Sequence, residues 1–343
     1  MIRLQLTPLN SLDDACGMLQ TAIGVEFGTL PPYLYALYSI LPGANTAAAE
    51  RIRSVALQEM IHMCLGCNIL NALGGAPRLQ APKYPGPLPG DIGPDGKPLT
   101  VHLLPFSPAA MEQAMAIEQP EDPPDFPVEK LLAAEAAPKA VTIGQFYAAL
   151  DKFLQTLPAK AWQAGRNQIV DDQFFPGQLF AVGGYPDAHR AISEIVSEGE
   201  GAKNDPLDFQ DQVAHYYRFG EIWHGKVLTK AKNPEGYAWG PTPLPVDWNA
   251  VYPAIPDPGA HDFSHDPPAA QAAQAACNRC FSEMVDALQQ AVDGAAGALG
   301  RAVRAMFDLR MAGKTAFATP LADGRSVAGP AFLYVPPKPG ARA

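Results

Sequence analysis

TAAAERIRSVALQEMIHMCLGCNILNAL, residues 46–73, reads as one long helix. Asn45-Thr46 offers a capping signal at its start, and Gly74-Gly75-Ala76-Pro77 stops it. Within it, Glu59-Met-Ile-His62 sets a carboxylate and an imidazole three residues apart on one helical face, so both can reach a common ion. Glu-x-x-His also arises by chance on solvated helix faces, so the pair needs support from elsewhere in the chain.

That support lies just upstream. Ser11 opens SLDD, a Ser/Asp capping box, and apolar residues recur at helical spacing through Leu19, Ile23, Phe27 and Leu30. Pro31-Pro32 predicts a kink, yet YLYALYSI continues the pattern to Ile40 before Pro42-Gly43 ends it. Helices over 11–40 and 46–73 then form an antiparallel pair. Glu26 lies 14 residues before Ile40 and Glu59 lies 14 residues after Asn45. At about 1.5 Å per residue both stand about 21 Å from the turn, facing each other at one depth. Glu26 is embedded in AIGVEFGTL, where a carboxylate is costly to bury unless it is paired or coordinates a metal. Oxygen and nitrogen ligands suit iron, with manganese as the alternative, better than a thiolate-loving ion.

A second pair should complete the arrangement. Helices are expected over 187–200 and 207–230, after a Pro/Gly-rich connection with short helical pieces near 107–118 and 142–157. Two further helices are expected over 268–291 and 296–312, followed by an extended tail, and no series of strands is expected. Two hairpin pairs joined by a long crossover is the layout of an all-α, ferritin-like four-helix bundle, here with a Pro-rich crossover and additional C-terminal helices in a single domain, 1–343. On the third helix, counting 100° per residue from Ile192, Glu200 lies closest to the buried face, ahead of Glu198 and then Glu194. On the fourth, Glu221-Ile-Trp-His224 is a second Glu-x-x-His. An apolar face through Phe209, Val213 and Tyr216 instead favours His215 and His224 about equally, and spacing leaves both readings open.

VEFGTLPPYLYALYSI, VALQEMIHMCLGCNILNALGGAPRL, AISEIVSEGEG, AHYYRFGEI and AGPAFLY, in that order, resemble the ferritin-like domain of iminophenyl-pyruvate dimer synthases of violacein and indolocarbazole biosynthesis. The resemblance implies metal ligands at Glu26, Glu59, His62, Glu200 and His215, with Glu221 and His224 as the alternative. It also implies one or two iron ions and redox chemistry on a small, amino-acid-derived imine or keto acid. The other possibility is a ferritin-like metal-binding or structural protein without catalysis. Gln212 departs from the pattern, since a Glu-x-x-His ending at His215 would need a carboxylate there.

The remaining composition narrows the function classes. A net charge of -10, from 25 Lys+Arg against 35 Asp+Glu, disfavours nucleic acid and anionic lipid. No apolar run reaches the roughly 18–20 residues of a membrane span. MIRLQLTPLNSLDDACG lacks a long apolar segment, which predicts a cytoplasmic protein; the expected partner is a small-molecule substrate, and a homodimer is one option for an assembly that the sequence leaves open. Cys64-x-x-Cys67 and Cys277-x-x-Cys280 could be read as halves of a zinc site, but as parts of helices they are expected to be buried small hydrophobes. Tyr33, Tyr35, Tyr38, Tyr216 and Tyr217 are expected to pack in the core, and Arg218 to pair with an acidic substrate group or a bundle carboxylate.

Overall fold

The first helix is built as its capping box predicts. In the computed structural model, which describes residues 1–120, 139–200, 205–232 and 235–336, α1 runs Leu12–Ser39. Ser11 Oγ accepts from the Asp14 N–H while Asp14 Oδ2 accepts from the Ser11 N–H. Pro31 and Pro32 sit inside the helix without ending it. Pro32 cannot donate to the carbonyl of Gly28, four residues back, and the Tyr84 hydroxyl donates to that carbonyl instead.

Helix α2 spans Thr46–Ala72 and returns antiparallel to α1. A side chain at Gly66 would stand 3.1 Å from Ile23, and His62 lies beside Glu26, so the two helices keep one register along their length. Asn45 occupies the N-cap position, but its side chain does not cap the helix. It bonds the backbone of Asp247 through both its oxygen and its nitrogen.

The crossover carries α3 (Pro108–Ile117) and α4 (Ile143–Leu154), close to the two short helices expected there. Helix α5 (Tyr185–Glu200) and α6 (His215–His224) form the second half of the bundle, with α3 packed on α6 and α4 on α5. Helices α7 (Pro268–Val292) and α8 (Ala298–Phe317) pack on each other, and respectively on α2 and α1. Val25 through Tyr33 of α1 are therefore buried on every side, and an almost uniformly apolar helix segment is the result. Among the described residues no helix is long and apolar enough to cross a membrane.

The largest departure from expectation is the fourth helix, predicted over 207–230. Residues 207–214 are not helical. Asp208 Oδ1 accepts from the N–H groups of Gln210 and Gln212, a local turn that competes with helix, and Phe209 is 70% exposed rather than part of an apolar face. Gly225, at φ 63°, ends α6 in the left-handed conformation. The chain then forms β3 (Lys226–Lys232), paired antiparallel with β4 (Glu235–Pro243). β1 (Leu4–Leu6) pairs antiparallel with β2 (Lys139–Val141) in a second two-stranded sheet. These hairpin and bridge strands were not expected from the sequence; they are short, and the first pair is brought together from distant segments. The tail after α8 lacks regular structure, as expected of an extended segment, and buries Ala328, Ala331 and Phe332.

Candidate metal centre

Five buried side chains converge between α1, α2, α3 and α6. Glu26, Glu59, His62, Glu118 and His215 are each no more than 6% exposed. They fall into two groups able to hold an ion, Glu26–Glu59–His62 and Glu59–Glu118–His215, with Glu59 common to both. His62 Nδ1 lies 3.6 Å from Glu26 Oε2 and 3.9 Å from Glu59 Oε1. His215 Nδ1 lies 2.8 Å from Glu59 Oε1 and 3.7 Å from Glu118 Oε2. The two imidazoles are stacked, with centroids 5.5 Å apart.

Each carboxylate is steered by a hydroxyl on its outer oxygen. Tyr147 of α4 donates to Glu26 Oε1 at 2.7 Å, and Tyr33 donates to Glu118 Oε1. Thr29 Oγ1 lies 2.8 Å from Glu59 Oε2 and 2.8 Å from the Glu26 carbonyl. A single hydroxyl proton serves only one of these, so a proton on Glu59 would satisfy the other. The remaining oxygen of each carboxylate faces the two Nδ1 atoms. The outer nitrogens of the imidazoles are held as well, His62 Nε2 by Glu198 Oε2 at 2.8 Å and His215 Nε2 by Gln58 Oε1 at 3.1 Å.

The electrostatics describe a centre short of positive charge. Burial, reinforced by the charges of Glu118 and Glu26, pushes the Glu59 carboxyl well above the usual carboxylate range. Burial opposes charge on Glu26 too, but the hydrogen bond and charge of His62 and the Tyr147 hydroxyl outweigh it and hold that carboxyl low. On His62 burial is overcome by Glu198 and Glu26, which raise its pKa well above the ordinary value. Burial keeps His215 below its ordinary value despite Glu118, which leaves the neutral imidazole that binds metals. His215 Nδ1 is buried without a hydrogen bond although an acceptor oxygen stands 2.8 Å away. An orphaned imidazole nitrogen among clustered buried carboxylates is a donor set that fits a cation.

The sequence-derived positions divide as follows. Glu26, Glu59, His62 and His215 are brought together. Glu200 ends α5, and its side chain lies outside the described residues. Glu221 and His224 point elsewhere: Glu221 accepts from Arg51 and from the Leu228 N–H, and the His224 ring stacks on Trp239 at 4.4 Å. Glu118 is not among the sequence-derived positions, and Glu198, ranked behind Glu200, reaches His62. Glu198 is one turn beyond the buried Ile195, so counting from Ile195 rather than Ile192 would have ranked it first. Glu118 had no periodic signal, because it follows the last residue of a short crossover helix. It supplies His215 with the carboxylate sought at position 212, while Gln212 lies in the loop before α6.

Arg218 donates to Val213 O, Ser54 Oγ and Gln58 Oε1, and the charges of Asp208, Glu198 and Glu221 act on it. Tyr33 packs in the core with its hydroxyl on Glu118, and Tyr35 donates to the Ile255 carbonyl. All five cysteines are free thiols. Burial pushes Cys64 and Cys277 up to about 12, so neither supplies a thiolate at neutral pH.

The comparisons with known proteins agree with this architecture. The family described as Ferritin-like matches residues 19–224, a span that encloses every residue of the centre and ends with α6. Among solved structures the chain is similar to a ferritin-like protein from Caulobacter vibrioides. The two are 24% identical with a TM-score of 0.66, over 94% of this chain and 100% of that one, a likeness of fold. None of the curated proteins matches the chain.

Proposed function

The chain belongs to the ferritin-like family, and from that premise we propose that it is an iron-dependent oxidoreductase acting on a small, amino-acid-derived imine or keto acid. The observation that carries this reading is the convergence of three buried carboxylates and two imidazoles in two overlapping groups. Glu26, Glu59 and His62 would hold one ion, and Glu59, Glu118 and His215 a second, with manganese as the alternative to iron. Iron bound there would supply redox chemistry with dioxygen or peroxide as co-reactant.

The chain's own residues prepare that chemistry. Tyr147, Thr29 and Tyr33 hold one oxygen of each carboxylate, so the other is oriented before any ion arrives. A cavity of about 20 Å³ adjoins Glu26, Glu59, His62 and Glu118, walled by Val25, Ile143, Ile195 and Val196. Those apolar walls limit water to about one molecule and leave room for a diatomic oxidant. The resemblance to iminophenyl-pyruvate dimer synthases supports the substrate class; size-exclusion mass tests the distinction from a storage cage, a monomer or homodimer being expected of the enzyme.

The size of that cavity also favours a second reading, a metal-binding protein that turns over no organic molecule. Metal content of anaerobically purified protein, beside the Glu59→Ala/His62→Ala double variant, tests what both readings share: one or two irons per chain, lost in the variant, are expected. Iron content unchanged in the variant would remove both. Turnover of amino-acid-derived imines with peroxide or dioxygen then separates the enzyme from the binding protein.

A further inference from the structure

The two imidazoles differ in what holds their outer nitrogen. Arg218 donates from Nη1 to Gln58 Oε1 at 2.6 Å and to Ser54 Oγ at 2.9 Å. A guanidinium only donates, so the Gln58 atom between Arg218 and His215 is the amide oxygen, and His215 Nε2, 3.1 Å from it, must donate as well. That leaves the His215 Nδ1 lone pair facing Glu59 and Glu118. His62 Nε2 donates likewise, but to the carboxylate of Glu198 at 2.8 Å.

These partners act on ligand strength in opposite directions. A carboxylate that accepts the outer N–H makes an imidazole a stronger metal ligand. A neutral amide oxygen already engaged by a guanidinium is a poor acceptor and gives no such help, and the Arg218 charge opposes another cation nearby. The rest of the centre is balanced, with two carboxylates and one imidazole in each group, Glu59 shared, and a tyrosine hydroxyl on each of Glu26 and Glu118.

We propose, resting on the metal-binding reading above, that the centre is a pair of unequal half-sites. Glu26–Glu59–His62, backed by Glu198, takes the first ion tightly. Glu59–Glu118–His215, backed by Gln58 and Arg218, takes the second weakly. Gln58 and Arg218 are positioning residues: they fix the tautomer of His215 and set the lower affinity of its half.

The test is anaerobic calorimetric titration of the apo protein with Mn²⁺ alone, with ¹⁵N-histidine spectra of the apo protein alongside. Two binding events separated by at least about 10-fold are expected, in the range outer partners of imidazole ligands produce. Gln58→Glu should tighten the weaker event by about 10-fold, and Glu198→Gln should weaken the tighter one by a similar factor. The spectra should show His215 protonated on Nε2 in the wild type. Two ions of equal affinity, a Gln58→Glu variant with the weak event unmoved, or a His215 proton on Nδ1 would each overturn the proposal while leaving metal binding intact. Absence of any Mn²⁺ or iron binding by the wild type would instead overturn the underlying reading and the proposal with it. If Gln58→Glu fails to fold, the Glu198→Gln titration decides alone.

Discussion

Glu118 sets its Oε2 3.7 Å from Nδ1 of His215, although the one caps the end of α3 and the other opens α6, 97 residues later. The crossover, which connects the two halves of the bundle, thereby contributes a side chain to its centre. Its second oxygen is held by Tyr33, and the Tyr33 hydroxyl is pushed well above its usual pKa by burial and by the Glu118 charge.

Removing that one carboxylate should divide the centre. In Glu118→Ala the group Glu26–Glu59–His62 is untouched, so metal content should fall from two ions per chain toward one, whereas Glu59→Ala should lose both. Elemental analysis of the two variants reads this directly; equal stoichiometry in both would mean that Glu59 is not shared.

Tyr147→Phe deletes the hydroxyl donated to Glu26 Oε1 without opening a cavity. A buried hydrogen bond to a charged group contributes about 1.5–3 kcal/mol, so the metal-free variant should unfold at lower urea by roughly that amount. Added metal should narrow the gap if it fixes Glu26 in the folded state. A variant as stable as wild type would show that this hydroxyl does not support the charged carboxylate.

Asp266 gives a pH signature far from the centre. Its carboxylate accepts from the Ala322 N–H at 2.7 Å and pairs with His261 Nε2 at 2.7 Å. The Ala322 hydrogen bond and, after burial works against it, His261 hold its pKa below the ordinary carboxylate value. A carboxylate depressed in the folded state contributes stability above its unfolded pKa of about 3.9 and loses it as pH falls through the folded value. Asp266→Asn should therefore destabilise the protein at pH 7, with the difference shrinking below about pH 4. Thermal melts of both proteins across pH 3–7 check it, and a pH-independent gap would count against the linkage.

Gly220 tests whether the β3–β4 hairpin fixes α6. A Cβ there would stand 2.5 Å from the Trp239 ring. Gly220→Ala should cost about 1–3 kcal/mol by overpacking, and Trp239→Leu in the same chain should recover part of it. Denaturant midpoints of the single and double variants measure the recovery; none would mean the strain lies elsewhere.

Much of this arrangement was legible in local patterns. The SLDD box, the apolar period through Phe27 and the Gly74-Gly75 stop placed α1 and α2 within a residue or so of where they are, and the matched depths of Glu26 and Glu59 followed from helix rise alone. The fourth helix was overextended because 207–214 and 226–230 carry apolar residues at tolerable helical spacing. Asp208 instead spends its carboxylate on backbone N–H groups, and Val227 and Thr229 lie in a strand.

What the sequence by itself determined, then, is the pair of helices and the carboxylates and imidazole that they bring to one depth, since helix rise and apolar period are local properties of the chain. Only the tertiary structure set His215, and not Glu221 or His224, beside Glu59, turned Glu198 toward His62, and brought Glu118 beside His215. Those outcomes depend on how the crossover and the β3–β4 hairpin pack against the bundle. Burial then decided the chemistry: once water is excluded, the carboxylates must share protons, accept hydroxyl donors or bind cations, and no residue spacing reveals which neighbours will be within reach.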